Sequence, residues 1–207
     1  MQQPADVLRI SIMPFLAREL VMPRITDLRA RFPRVEVRVE ANIGPSALES
    51  GQVHAALQVA EGPLPGLECT RLGRMTAAPV CSPELADAIH TTADLTREPL
   101  IGLRGYPVLE IARRAGIDFD PKRVLPCDSY SESLRAAARG LGIALALFPI
   151  TNSWVASERL VAPLPIRLDI REACYLLYAA GERERPDLCE LREWIEESYA
   201  ELPAMHP

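Results

Sequence analysis

Ser129 stands three residues before Glu132 in the stretch PCDSYSESLRAAARGLGIALALFP, residues 126–149. That S-x-x-E spacing is a capping box, in which the hydroxyl accepts an amide hydrogen of the first helical turn and the glutamate answers it. A helix start of this kind presents free N–H groups and the positive end of a dipole, a natural seat for an anion. Ser129 capping only its own helix is an equally good reading, and the two roles are compatible. Asp128 works against a strongly anionic ligand at this end, or selects an amine. Cys127, just before it, is the one thiol placed for redox or ligand contact, although a buried inert cysteine is the commoner outcome.

Catalytic chemistry finds little support elsewhere. There are three histidines, of which His206 is in the tail and His54 begins a strand, where a structural or solvated role is the rule. G-x-S-x-G, H-E-x-x-H and the phosphate loop G-x-x-x-x-G-K-[ST] do not occur. Gly140-Leu141-Gly142 is too short for a dinucleotide fingerprint and precedes a strand rather than following one. Acidic residues at Glu182, Glu184, Glu196 and Glu197 alternate with arginines or sit on the last helix, the pattern of a solvated face. The five cysteines, Cys69, Cys81, Cys127, Cys174 and Cys189, are odd in number and widely spaced. Free thiols in a reducing compartment fit them better than a disulfide framework or a zinc site. No cofactor and no metal is expected.

The elements that must position these residues follow from periodicity. Around Ser129, a strand at 123–127 leads into a helix with Leu134, Ala137, Ala138 and Leu141 on one face. Gly140 and Gly142 end it, and Ile143–Phe148 is an apolar run of strand length closed by Pro149, so the whole is a βαβ unit. Toward the N-terminus, Val7–Ile12 alternates as a strand. Pro14 opens a helical pattern to Phe32 carrying Val21, Ile25, Leu28 and Phe32, with a kink at Pro23. Val35–Glu40 is a strand, 46–50 a short helix, and Ala55–Val59 a buried strand. Gly62–Gly66 is a loop, and Leu67–Leu72 and Ala77–Cys81 read as two further strands. Ser82 caps one helix and Thr92 a second over 93–98. Leu100–Leu103 is a strand and Val108–Ala115 a helix stopped by Gly116. A short helix at 151–156, strands at 160–162 and 174–178, and a final helix from Pro186 complete the chain. That helix carries Leu188, Leu191, Ile195 and Tyr199 on its buried face. Strand and helix alternate as in an α/β fold with a largely parallel sheet.

At 207 residues the chain fits one large domain or two small ones. A hydrophobic fraction of 48% supports a sizeable core. Net charge of −5 argues against this chain alone gripping DNA or an acidic membrane. No stretch approaches the roughly 18 apolar residues that span a bilayer. The opening MQQPADVLRI lacks the pattern of a signal peptide.

In order along the chain come LRISIMP, PRITDLRARFPRVEVRVE, GPLPGLE, APVCSPEL, SLRAAARGLGIALALFP, ERLVAPLP, CYLLYAAGERERP and LREWIEES. Together these resemble the effector-binding domain of LysR-type transcriptional regulators, in the branch typified by the glycine-cleavage activator. The resemblance covers almost the whole chain. It implies a type II periplasmic-binding-protein-like α/β fold of two subdomains joined by two crossover strands. Subdomain I is expected at 7–80 plus 152–200, subdomain II at 81–151, and a frayed tail at 201–207. The crossovers are expected near Pro79–Cys81 and Ala146–Pro149. Family members also carry an N-terminal winged helix-turn-helix, and this sequence starts at the first strand of the effector domain. The expectation is a piece trimmed to that domain, ahead of a protein that lacks the DNA reader.

The resemblance also implies a ligand cleft between subdomains, at the carboxyl ends of strands. Its walls would come from Ser11, Ile12, Met13, Pro14 and Phe15, from Gln58, Val59 and Ala60, and from Asp128, Ser129, Tyr130 and Ser131. Gly102, Leu103 and Arg104 with Leu147 and Phe148 would form a fourth. Relatives often carry an Arg-Tyr-Gly-like triplet at 58–60, so Gln58 offers an amide where they offer a cation, and a more neutral or apolar effector follows. Arg104 could pair with a carboxylate, although a solvated loop arginine is commoner.

The resulting expectation is a cytoplasmic, non-enzymatic sensor whose small-molecule effector is an organic acid, an amino acid or an aromatic. Promoter DNA would be reached only through the N-terminal domain, and the membrane not at all. Homodimerisation or higher assembly is implied, with Val21, Ile25, Leu28 or Leu134 marking the interface if exposed. The rivals are a free-standing solute-binding protein, an enzyme on the same fold, and a dimerisation-only domain without effector.

Overall fold

The computed structural model describes residues 6–41, 44 and 46–202. His206 and the expected tail from Pro203 onward therefore lie outside the described residues. The chain divides into two compact units, one made of residues up to Arg74 with Arg171–Leu202, the other of Met75–Ile170. It passes between them inside two long strands, β4 (Leu67–Val80) and β8 (Leu168–Ala179).

In unit one the strand order is β2-β1-β3-β8. β1 (Asp6–Ile12) runs parallel to both β2 (Val35–Ala41) and β3 (Ala55–Ala60), and β3 runs antiparallel to β8. β2 alternates half-buried valines with exposed Glu36, Arg38 and Glu40, a charged face that guards an edge strand. On one side of the sheet, Ala47 and Leu48 of α3 (Ser46–Glu49) pack with Ala56, Ala173, Tyr175 and Leu177. The helical run after β1 changes pitch repeatedly. It passes from α1 (Pro14–Leu16) through a π turn (Ala17–Val21) and a 3-10 turn (Met22–Arg24) into α2 (Ile25–Arg31). Pro23 has no N–H to continue an α ladder, and the expected kink takes this form. The last helix, α9 (Pro186–Ala200), buries Leu188, Leu191, Trp194, Ile195 and Tyr199. The Trp194 indole N–H donates to Asp27 Oδ2 at 2.6 Å, and Arg31 bridges Glu190 and Glu197, so α9 is fastened to α2.

Unit two has the strand order β4-β7-β5-β6. β7 (Ile143–Phe148) is buried at every position, antiparallel to β4 and parallel to β5 (Leu100–Leu103), which is parallel to β6 (Val124–Cys127). A strand covered on both faces reads as a continuous apolar run, which is what IALALF is. Around it lie α4 (Pro83–Ala86), α5 (Thr92–Arg97), α6 (Val108–Arg114), α7 (Tyr130–Ala137) and α8 (Asn152–Ala156). The core joins Ala78, Val80, Ile101, Leu134, Ala137, Ala144, Ala146, Phe148, Trp154 and Leu160.

Several expectations are corrected. The two strands read at 67–72 and 77–81 are the single strand β4. Gly73 does not break it, because the Tyr199 ring lies where a side chain would be; a Cβ there would come within 2.6 Å of it. The strand at 160–162 reduces to one bridge between Val161 and Cys81. The cap of α5 is Thr91, not Thr92, closing a reciprocal box with Asp94. Leu141 is 55% exposed, since α7 ends before it. Val21, Leu28 and Leu134 are buried within their own units and cannot mark an interface; among the described residues the exposed large apolar side chains are Met22, Leu125 and Leu141. Separately, residues 79–81, 146–149 and 152–170 all fall in unit two.

Two contacts give direct tests. Gly142 has φ +145°, and a Cβ there would meet the Pro99 carbonyl oxygen at 2.3 Å, while the Ile143 N–H donates to that same oxygen. Gly142→Ala should therefore destabilise by at least about 2 kcal/mol, read from the urea midpoint. His54 Nδ1 accepts the Arg9 amide at 3.1 Å while the His54 amide donates to the Arg9 carbonyl, so the imidazole serves as a rung between β1 and β3. Burial, then the Arg185 and Arg9 charges, lower its pKa below 6.5, against the opposite pull of Asp187 and Glu182. A lowered histidine pKa gives stability that is complete above the unfolded value and lost as pH falls through it toward the folded one. His54→Asn keeps an acceptor that does not titrate. Comparing urea midpoints at about pH 7 and about pH 5, its loss of stability should be smaller than that of the wild type.

Candidate functional site

In unit one the two candidate stretches lie at the carboxyl ends of neighbouring strands. Ser11 pairs in register with Ala56 and Ile12 with Leu57, so Ser11, Ala56 and Gln58 share one sheet face. Ser11 is fully buried, and among the described residues its hydroxyl has no hydrogen-bond partner. Gln58 is 3% exposed; its Oε1 accepts from the Gly44 amide at 3.3 Å, and its Nε2 has no partner among the described residues. Val59 and Ala60 are half-buried. The Met13 amide donates to the Leu57 carbonyl at 3.0 Å and the Met13 carbonyl accepts from Ala17, so the backbone that leaves β1 is already bonded. Pro14 is exposed and Phe15 is turned into the core.

In unit two the residues around α7 are largely engaged with each other. The Glu132 amide donates to Ser129 Oγ at 3.2 Å, which is the cap expected of Ser129. Arg104 Nε donates to Asp128 Oδ1 at 2.8 Å, although with 69% and 80% of their side chains exposed this pair adds little stability. The Asp128 carboxylate raises the Arg104 pKa, chiefly through that hydrogen bond. Gly102 serves packing: a Cβ there would meet Val108 Cγ2 at 2.8 Å. Leu147 and Phe148 are buried, with Phe148 in the unit's core.

Tyr130 is the centre of a network that the sequence did not disclose. Its hydroxyl accepts the Leu147 amide at 2.6 Å, reaches the Leu145 carbonyl at 3.3 Å and meets Thr151 Oγ1 at 3.2 Å. Thr151 Oγ1 in turn donates to the Leu147 carbonyl at 2.7 Å. β5 pairs with β7 through Ile143 and Ala144, and the tyrosine and threonine serve the β7 groups that follow. Thr151 and Asn152, read only as the start of a short helix, thus lie in the polar part of this unit; Asn152 Nδ2 is buried without a partner among the described residues.

Thiol chemistry is disfavoured by the surroundings. Burial, followed by the Glu132 and Asp128 charges, raises the Cys127 pKa, and burial pushes Cys81 up to about 11. Both stay protonated near neutrality and are poor nucleophiles. All five cysteines are free. Among the described residues no group of three or more His, Cys, Asp or Glu side chains could hold a metal ion, and no helix is long and apolar enough to cross a membrane.

Comparison with known proteins gives this arrangement a family. The model of the LysR substrate binding domain matches residues 1–200. The glycine cleavage system transcriptional activator of Escherichia coli K12 is 28% identical over 195 residues, covering 91% of this chain and 63% of the relative. The chain thus spans a little under two thirds of that relative's length. The HTH-type transcriptional activator AmpR of Enterobacter cloacae is 26% identical over 197 residues, covering 93% and 67%. Among solved structures, the effector domain of AmpR from Pseudomonas aeruginosa superposes with a TM-score of 0.83 at 23% identity, over 94% of this chain and 96% of that one. The AmpR effector binding domain of Citrobacter freundii gives 0.81 at 21%, over 94% and 98%. These two likenesses carry the fold, the periplasmic-binding-protein-like type II fold of LysR effector-binding domains. With the family model matched across residues 1–200, this chain belongs to the LysR substrate-binding domain family.

Proposed function

We propose that this domain senses a small molecule inside a cytoplasmic transcription regulator and passes that event to a DNA-binding part outside this sequence. The observation that carries the reading is the family match over residues 1–200. The two compact units support it: the chain crosses between them inside β4 and β8, so a ligand that favours one arrangement of the units shifts the regulator's state. We equate unit one with subdomain I and unit two with subdomain II. In unit one, Ser11, Met13 and Gln58 to Ala60 are the proposed contacts. In unit two the proposed contact is Tyr130, with Arg104 and Asp128 acting as a neutralised pair rather than as a free cation and Ser129 serving as the helix cap. Curated relatives are transcriptional activators, and the role proposed here is regulatory rather than catalytic.

A thermal-shift screen of small carboxylates, amino acids, aromatics and neutral amides should yield at least one compound that raises Tm with concentration. A well-folded sample that no compound stabilises would sink the sensing claim. With that compound in hand, Ser129→Ala should cost about 1 kcal/mol of stability and leave affinity unchanged, because the hydroxyl is occupied by the Glu132 amide. We propose further that the regulator works as a homodimer or higher homo-oligomer through this domain. Sedimentation velocity should then show concentration-dependent association; a monomer at every concentration argues against it.

A further inference from the structure

The sheet face of unit one that carries Ser11 and Gln58 holds more than a generic contact. The Gly44 amide can be met only by an oxygen, so its bond to Gln58 Oε1 fixes which way the side-chain amide points. Nε2 is thereby committed to a direction in which no acceptor among the described residues meets it, although the residue is 97% buried. One strand away on the same face, the Ser11 hydroxyl is also buried and without a partner among the described residues. Directly across β8 from Gln58 stands Tyr175, and Ala60 pairs with Ala173, so the flanks are aromatic and apolar. Buried polar groups are nearly always hydrogen-bonded, and two unmatched ones on one face point to an acceptor supplied from outside the chain.

The charge nearby narrows that acceptor. Ser11 is in register with Glu40 and Arg9 with Arg38, which puts Arg9, Arg38 and Glu40 on the same face. Arg38 is bidentate to Glu36, and Arg9 Nε donates to the Gln52 carbonyl. Arg9 keeps its charge on a neutral carbonyl, Arg38 is paired with Glu36, and the side chain across from Ser11 is the carboxylate of Glu40. The two arginines of this face are matched by two carboxylates, so an anionic ligand would find neutral donors and no net positive charge.

We infer that Gln58 Nε2 and Ser11 Oγ receive the carbonyl oxygen of an uncharged or amine-bearing ligand, and that unit one discriminates against a carboxylate at this point. The inference rests on the sensing role proposed above and names the chemical class that the role requires.

The test compares two probes of matched size, N-acetylglycinamide and N-acetylglycine, on the wild type, Gln58→Leu and Ser11→Ala. The neutral amide should raise the wild-type Tm more than the carboxylate does, and Gln58→Leu should abolish that rise. Equal or greater stabilisation by N-acetylglycine overturns the inference, as does an undiminished shift in Gln58→Leu; in either case sensing itself stands, since a ligand binds. Ligand-free protein decides independently of any probe. Replacing an unmatched hydroxyl with an apolar group should leave Tm unchanged or higher in Ser11→Ala, whereas Gln58→Leu also strips the Gly44 amide of its acceptor and is read only through its lost response to the probe. A fall in Tm for Ser11→Ala means that its hydroxyl already stabilises the unliganded fold, and the inference fails.

Discussion

Two strands carry this molecule. Each compact unit owns part of β4 and part of β8, and each strand is pinned where it matters by a ladder. β8 is held to β3 in register from Ala55 opposite Tyr178 to Ala60 opposite Ala173, and β4 is held to β7 from Thr76 opposite Phe148 to Val80 opposite Ala144. A one-residue slip in either ladder would turn every side chain to the wrong face, exposing apolar core and burying polar groups. Register in those two ladders therefore decides that Tyr175 shares a face with Gln58 and that Ala78 and Val80 enter the unit-two core.

The surroundings of α7 and the β1–β3 face treat their polar groups differently. Around α7, hydroxyls and charges find partners within the chain: Ser129 with the Glu132 amide, Tyr130 with β7 and Thr151, Arg104 with Asp128. On the β1 and β3 face, Ser11 and the Gln58 amide nitrogen do not. The first arrangement stiffens a surface; the second leaves free energy to be gained when an acceptor arrives. Ser129, which has the sequence signature of a binding helix start, is thus a weaker ligand candidate than Gln58, which has no signature at all.

Most of the architecture was legible in the sequence because it rests on short-range rules. The apolar run Ile143–Phe148, the hydroxyl cap before α7 and the buried stripe of α9 are each set by residues within a few positions of one another. The misreadings were of two kinds, one long-range and one at a helix end. Gly73 looks like a break until the Tyr199 ring, far along the chain, is found above it, and Leu141 looks like a core residue until the helix is found to end early. The candidate site follows the same division. Its location at strand ends could be read, while the engagement of Arg104 with Asp128, the tyrosine network and the orphaned amide of Gln58 depend on which strands lie side by side. No local pattern records that.

Unit one is assembled from both ends of the chain, and this dictates an order of events during synthesis. Unit two is continuous, so all of its strands are available once Ile170 has emerged. Unit one at that moment lacks β8, the antiparallel neighbour of β3, and α9, whose Trp194 fastens α2 through Asp27. Its β1 and β3 wait with an unpaired edge and an uncovered apolar face until β8 and α9 have left the ribosome. Closing contacts so far apart in sequence is slow. The nascent chain is thus most prone to aggregation in the interval between completing one unit and completing the other.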